Sequence, residues 1–346
     1  MKLGLLMGYS GSDMNVAMEK VHEAESLGFD SVWTSEAWGT DAMTPASWIL
    51  AQTKNIKVGT AICQMQARTP ALAAMTAMTL NLMSGGRFIL GIGPSGPQVI
   101  EGWHGVPYGK PLKRTKEYIE IIRKILERKG ALEYDGEHYQ IPYTGPGSTG
   151  LAKPLRSILH GDPQMKIYSA SFSPKGVENA AEVADGIFPI FMSPEKYNLF
   201  GEPLEKGFAK VPGKSLQNFD MMPFVECEMG DDLDACRKPI KDHMGFYIGG
   251  MGARDKNFYN DYCKNLGYEA AAVEIQDKFL SRDREGAFAA VPDALVDEVA
   301  LVGPKGRIKE RLQDWKAAAK ERKVDSMLLR GTTSVEAMRF IAEEVL

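Results

Sequence analysis

Six residues invite a chemical reading first: Gly91-Ile92-Gly93-Pro94-Ser95-Gly96, which spell G-x-G-x-x-G at the end of the strand-like run RFILGIG. After a first strand, and opening straight into a helix, that spelling is the turn that holds a dinucleotide pyrophosphate. Here it follows the fourth strand-like run. Pro94 and Pro97 interrupt it, and QVIEGWHGVPYG intervenes before a helical pattern begins near 111. The dinucleotide reading is rejected on those grounds. Glycines that end a strand have another use: a flat ring or a phosphate can approach the bare backbone, whose free N–H groups bind anionic oxygen. The competing reading is a loop shaped for packing alone. His104, in the same loop, either carries a proton to a substrate or is structural. Glu36 is either a functional carboxylate or a cap for a backbone N–H. Trp38 and Trp103 either wall a substrate pocket or pack with their N–H groups satisfied. His22, His138 and His160 receive no role. Cys63, Cys227, Cys236 and Cys263 form no C-x-x-C pair, and no histidine lies at metal-finger spacing, so neither a disulfide framework nor a metal site is expected.

The elements that must position these residues repeat one unit. Apolar strand patterns at 3–8, 29–35, 56–64 and 87–93 alternate with amphipathic helical patterns at 15–28, 44–53, 69–86 and 111–130. Thr44-Pro45 and Thr69-Pro70 each read as an N-cap followed by proline at the first helical position. Strand patterns continue at 165–171, 185–191, 218–229 and 324–331, with helices at 173–184 and 334–346. Strands apolar throughout, alternating with helices, mean a parallel sheet covered on both faces. Eight units in order predict an α/β fold of the (β/α)8 barrel type. It is expected as one domain over 1–346, with insertions at about 131–164, where YDGEHYQI reads as a hairpin, and 231–300, which reads as extra helices. A doubly wound open sheet is the alternative. GFYIGGMGARDKNFYN (245–260) is either a pocket lid or a plain helix connection.

Composition narrows the function. The chain has 346 residues, 44% of them hydrophobic, and a formal net charge of -4, which argues against a nucleic-acid partner. No apolar run is long enough for a signal peptide or a membrane span, so a cytoplasmic protein acting on a small-molecule substrate is expected.

The segments NLMSGGRFILGIG, AESLGFDSVWTSEAW, KVGTAICQMQARTPALAA and ADGIFP stand in an order that resembles the luciferase-like superfamily of (β/α)8 flavin and deazaflavin enzymes. GPSGPQVIEGWHG is similar to the branch that uses coenzyme F420. The resemblance implies a cis peptide at Ala61–Ile62 behind the cofactor ring, with Gln64 at the ring's polar edge and Glu36 near it. It further implies that Gly93, Ser95 and Gly96 flank the cofactor. Ser169, Ala170, Ser171 and Phe172 meet its ribityl chain and phosphate, and Pro189 to Phe191 form another wall. It implies a homodimer paired through early helices. Relatives that oxidise alcohols resemble one another in an acidic-His pair after strand two, and here that pair reads Glu36-Ala37. Alanine cannot take a proton, so the expected reaction is reduction of a carbonyl, imine or activated alkene, with Glu36 and His104 as the catalytic candidates. An FMN-dependent monooxygenase using molecular oxygen is the alternative. A relative that binds a flavin without turnover is a third.

Overall fold

The structure, a computed structural model, describes residues 1–346. Eight parallel strands form its centre: β1 (Lys2–Gly8), β2 (Ser31–Thr34), β3 (Lys57–Thr60), β4 (Phe88–Gly93), β5 (Ile167–Ser169), β6 (Gly186–Ile187), β7 (Asp220–Met221 with Phe224–Val225) and β8 (Ser326–Arg330). Neighbours in sequence are neighbours in space from β1 to β6, and β8 lies beside β1, Leu3 opposite Met327. The seventh strand is the join. Asp220 pairs with Gly186 of β6, and Phe224 pairs with Leu328 of β8. The break falls at Met222-Pro223, because proline has no N–H to offer a ladder. The sheet is therefore curled, with an inner and an outer face.

Helices surround the sheet: α1 (Met18–Ser26), α2 (Met43–Gln52), α3 (Pro70–Met83), α4 (Pro111–Glu127), α5 (Pro174–Val183), α6 (Asn198–Phe208), α7 (Leu233–Gly250), α8 (Phe258–Asn265), α9 (Glu269–Leu280), α10 (Arg284–Ala289), α11 (Asp293–Val299), α12 (Lys305–Lys320) and α13 (Val335–Val345), with α7 to α10 packed mainly on one another. No helix is long and apolar enough to cross a membrane. The inner face is filled by its own small cluster, with Leu6, Trp33, Ile89, Tyr168, Phe188 and Leu328 each supplied by a different strand. Trp33 packs edge-on against Phe188 at 5.1 Å, and its indole N–H donates to Ser31 Oγ at 2.8 Å. Burying each such ring contributes on the order of 2–3 kcal/mol. This layer plugs the lower part of the sheet, so any site on the inner face must lie above it, at the C-terminal strand ends.

Several local expectations need correction. Thr69 caps α3 as read, accepting from Leu72 N. Thr44 does not cap α2: the helix begins at Met43, and Asp41 accepts from the N–H groups of Met43 and Thr44 at 2.9 Å each. The run 218–229 is not one strand. Its last part, Cys227–Met229, leaves the sheet and pairs with Leu301–Gly303, a strand the sequence pattern missed. The glycine loop does open into a helix, but one of only six residues, Pro97–Gly102. Tyr134–Asp135 and Gln140–Ile141 form the expected hairpin. Arg87, the last residue of MSGGR, is structural. It donates to the carbonyls of Leu50, Thr53, Ile56 and Ser84, tying the end of α2 to the start of β3, far from the C-terminal edge.

Candidate active site at the C-terminal strand ends

β3 resumes as Cys63–Gln64 after a cis Ala61–Ile62 bond and pairs with Ile92–Gly93 of β4. Glu36, just beyond β2, buttresses this turn. One carboxylate oxygen accepts from Gln64 N at 2.9 Å and from Arg68 Nη1 at 2.9 Å. The other accepts from Ala42 N at 3.1 Å and Arg68 Nη2 at 2.7 Å. Both side chains are buried, Glu36 at 5% and Arg68 at 13% exposure. Burial works against the Arg68 charge, but the hydrogen bonds and field of Glu36 more than offset it and hold the guanidinium above its ordinary pKa. With both oxygens occupied, Glu36 is placed as an anchor for the Gln64 segment rather than as a proton carrier. Cys63 lies behind the pair, and burial pushes its thiol up to about 11, so it stays protonated.

The Gln64 side chain joins two loops. Its Nε2 donates to Ser95 Oγ at 3.1 Å, and its Oε1 accepts from His104 Nε2 at 2.6 Å. Ser95 has a positive φ of 56°, and Tyr108 donates its hydroxyl to the Ser95 carbonyl at 3.0 Å. Structure and sequence part company over the glycines. A methyl group at Gly91 would lie 1.8 Å from the Thr60 carbonyl oxygen, and one at Gly93 would lie 2.6 Å from Ile62 Cδ1. These two positions are glycine because the β3 turn packs onto them, so it is Ile62, not bare backbone, that faces the space above. Gly96 is the N-cap of the short helix, and a methyl there would meet only the end of the Gln98 side chain, at 3.2 Å.

Strand β5 continues into Ala170, whose N–H donates to Ile92 O, and then into Ser171 and Phe172. Ser169 is buried. At the start of α5, Ser173 Oγ accepts from Gly176 N. A methyl at Gly176 would lie 2.4 Å from Ser171 Oγ and 2.9 Å from Ser173 Oγ. Two hydroxyls thus crowd the side-chain-free position Gly176 in the first turn of a ten-residue helix, the positive end of its dipole. On the β6 side, the Pro189 carbonyl accepts from Phe224 N at 2.9 Å. Phe191 has a φ of 50°, and its carbonyl accepts from the Tyr262 hydroxyl. Trp38 and Trp103 are 51% and 65% exposed, which places them at a rim and not in a closed pocket wall. The Trp38 ring lies 6.4 Å from that of Tyr9.

Residues 245–260 lie over this edge. Tyr259 packs on Phe172 at 4.7 Å, and Tyr247 packs edge-on against Tyr259 at 4.8 Å. The segment therefore spans from β7 to the β5 loop.

Sequence reasoning overlooked a second cluster here. His243 Nδ1 lies 2.5 Å from Glu226 Oε1, and Arg330 Nη1 donates to Glu226 Oε2 at 3.0 Å. The signal was available as parity. Phe224 and Leu328 face inward, and side chains alternate along a strand, so Glu226 and Arg330, two residues on, face inward one layer higher. What sequence could not supply was His243, which arrives from α7.

An opening of about 540 Å³ lies elsewhere, beside α6 and lined by Tyr197, Leu204, Phe208 and Lys214. It sits at the other end of the sheet: Lys214 donates to the Glu182 and Ala184 carbonyls just before β6, and burial lowers its pKa to about 8. It gathers none of the paired groups found at the C-terminal edge.

The sequence profile of the family described as luciferase-like monooxygenase matches residues 4–321. A Mycobacterium tuberculosis protein with the provisional name coenzyme F420-dependent oxidoreductase is 42% identical over 323 residues, 92% of each chain. Among solved structures, the coenzyme F420-dependent tetrahydromethanopterin reductase of Methanopyrus kandleri superposes with a TM-score of 0.78 at 20% identity, over 99% of this chain and 98% of that one. An F420-dependent secondary alcohol dehydrogenase, in complex with an F420–acetone adduct, gives 0.76 at 17% identity over the same shares. These two share the fold, and with the profile and the mycobacterial relative they lead to one conclusion: the chain belongs to the luciferase-like monooxygenase family.

Proposed function

We propose that the chain is a coenzyme F420-dependent oxidoreductase that transfers a hydride between the deazaflavin C5 and a small organic substrate, reducing a carbonyl, imine or activated alkene. The observation that carries this reading is the pair of hydroxyls, Ser171 and Ser173, at the positive end of α5, beside an apolar floor of Ile62, Ala170 and Phe224. A ring with a phosphate-bearing tail needs that pairing of surfaces. The mycobacterial relative supports the choice of ring by its name. Ser169 to Phe172 and Gly176 would hold the ribityl and phosphate portion, with Pro189 and Phe191 along its far wall. Ala61, Ile62 and Gly93 would back the ring. Gln64 and Ser95 would meet its polar edge, and Gly96 would shape the loop beside them. The Gln66 amide, two residues past Gln64, is buried with neither atom paired, a further polar group able to meet a ligand. When bound, the deazaflavin supplies the hydride; the chain's part is to orient, to exclude water and to deliver a proton. Glu36 contributes by fixing Gln64. His104 steadies the Gln64 amide.

In the same reading the curled sheet is a (β/α)8 barrel, one cytoplasmic domain with insertions over 131–164 and 231–300. Trp48, Met75 and Met83, at 59%, 57% and 79% exposure on α2 and α3, support a homodimer through those helices. Titration of the purified protein with F420 and, separately, FMN, followed by cofactor fluorescence, tests the assignment. Saturable F420 binding at micromolar levels with none for FMN is expected. Preference for FMN would replace it with oxygen-dependent chemistry in the same fold.

A further inference from the structure

The Glu226–His243–Arg330 cluster has a feature that the rest of the edge lacks. Glu226 and Arg330 occupy the inward-facing layer directly above Phe224 and Leu328, the layer that roofs the filled interior. Opposite them the same layer is built from Ile62, Gly93 and Ala170, small or apolar. The inner face at this level therefore has an apolar side on β3, β4 and β5 and a charged side on β7 and β8. His243 reaches the charged side from α7, with its ring 5.7 Å from Phe191 and 4.7 Å from Tyr247. Its Nδ1 is held by Glu226. The bond to Glu226 is the one hydrogen bond the ring makes within the protein, so Nε2 is left open, and the side chain keeps 18% exposure. A carboxylate holding one imidazole nitrogen while the other is left open is the arrangement that orients a proton-transfer histidine and steadies its charged form.

We propose that His243 is the group that exchanges a proton with the substrate, with Glu226 as its positioning residue and Arg330 holding Glu226 in register. This rests on the F420 reading above and assigns the proton that Ala37 cannot carry. In a reduction, the deazaflavin when bound would supply the hydride that the substrate carbon takes up, and the carbonyl π pair moves to oxygen. That oxygen takes the proton from His243 Nε2, and the imidazole is left neutral and regains its proton from solvent. In the reverse direction Nε2 takes the hydroxyl proton. The ionisable groups around the ring are Glu226 and Arg330 from the strands and Tyr247 on its own helix. Glu228, Tyr9 and Lys20 lie in the next circle.

The test begins with the intact protein and two variants, His243→Asn and Glu226→Gln. F420 fluorescence titration comes first: absence of binding to the wild type would remove the cofactor reading itself, whatever the histidine does. With binding in hand, carbethoxylation by diethyl pyrocarbonate is mapped by mass spectrometry, with His22 and His160 as internal references. His243 is expected to react in the free protein and to be protected at least about tenfold by saturating F420. His243→Asn should bind F420 within about threefold of the wild type, yet slow the anaerobic oxidation of reduced F420 by cyclohex-2-enone about 100-fold or more. Glu226→Gln should lower kcat for the same turnover about tenfold while leaving KM and F420 affinity within about threefold of the wild type. Undiminished carbethoxylation of His243 under saturating F420, or turnover by His243→Asn within threefold of the wild type, would overturn the proposal.

Discussion

Two histidines stand four strands apart on one edge of the sheet, and their surroundings differ in kind. His104, in the loop after β4, is held by the neutral amide of Gln64, and the carboxylate of that quadrant, Glu36, is spent on two backbone N–H groups and a bidentate guanidinium. His243, against β7 and β8, is held by the carboxylate itself, and the guanidinium of that quadrant touches only one carboxylate oxygen. Both quadrants contain an acid, an arginine and a histidine. In the first the acid and the arginine are consumed in fixing the chain around the cis Ala61–Ile62 turn, and the histidine meets only an amide. In the second the acid holds the histidine itself. Residue type alone does not separate an anchor from a reactive group; the partner that each side chain holds does.

That contrast predicts where damage to the fold and damage to chemistry fall. The largest effect belongs to Gly91→Ala. Its new methyl would meet the Thr60 carbonyl at 1.8 Å, and backbone of a central strand cannot retreat as a side chain can. No soluble folded protein is expected, judged by expression yield and circular dichroism. Gly93→Ala meets side chains alone, Ile62 and the Ala170 methyl, and should fold, with weakened F420 binding. Recovery of stable Gly91→Ala protein would show the first quadrant to be looser than its contacts imply.

Next comes a matched pair. Arg68→Met strands the buried Glu36 carboxylate and should cost about 3–5 kcal/mol in urea unfolding. Arg330→Met removes a partner that is 35% exposed and should cost under about 1 kcal/mol, while altering turnover. Equal losses of stability from the two would erase the distinction between the quadrants.

The first quadrant was legible in the sequence because it is local. Residues 29–96 carry three strands, two capped helices and the turn between them in one continuous stretch, so Glu36, Gln64 and Ser95 could be placed by matching segments in order. Even there, spelling misled on mechanism. The glycines read as room for a ligand are room for Ile62 and the Thr60 carbonyl. The second quadrant joins residues 226, 243 and 330, which no local pattern links. Strand seven is broken by Pro223, its continuation Cys227–Met229 turns away to pair with Leu301–Gly303, and His243 lies in a helical stretch with no strand pattern to orient it. Period-two alternation from Phe224 and Leu328 would have flagged Glu226 and Arg330, but only once the inner face of the sheet was known.

The smallest expected effect tests the comparison from the other side. His104→Asn takes a donor from Gln64 Oε1 but leaves the Gln64 Nε2 bond to Ser95 and all four Glu36 bonds in place. One hydrogen bond of this kind contributes about 1 kcal/mol, so unfolding should shift by about that much. F420 affinity should weaken by less than about tenfold, and turnover of the bound cofactor should stay within about tenfold of the wild type, because the Gln64 amide keeps its bond to Ser95. A 100-fold loss of turnover at unchanged F420 affinity, with the His243→Asn protein active, would exchange the roles of the two quadrants. The loop after β4 would then carry the proton, and Glu226–His243 would become a brace between α7 and the sheet.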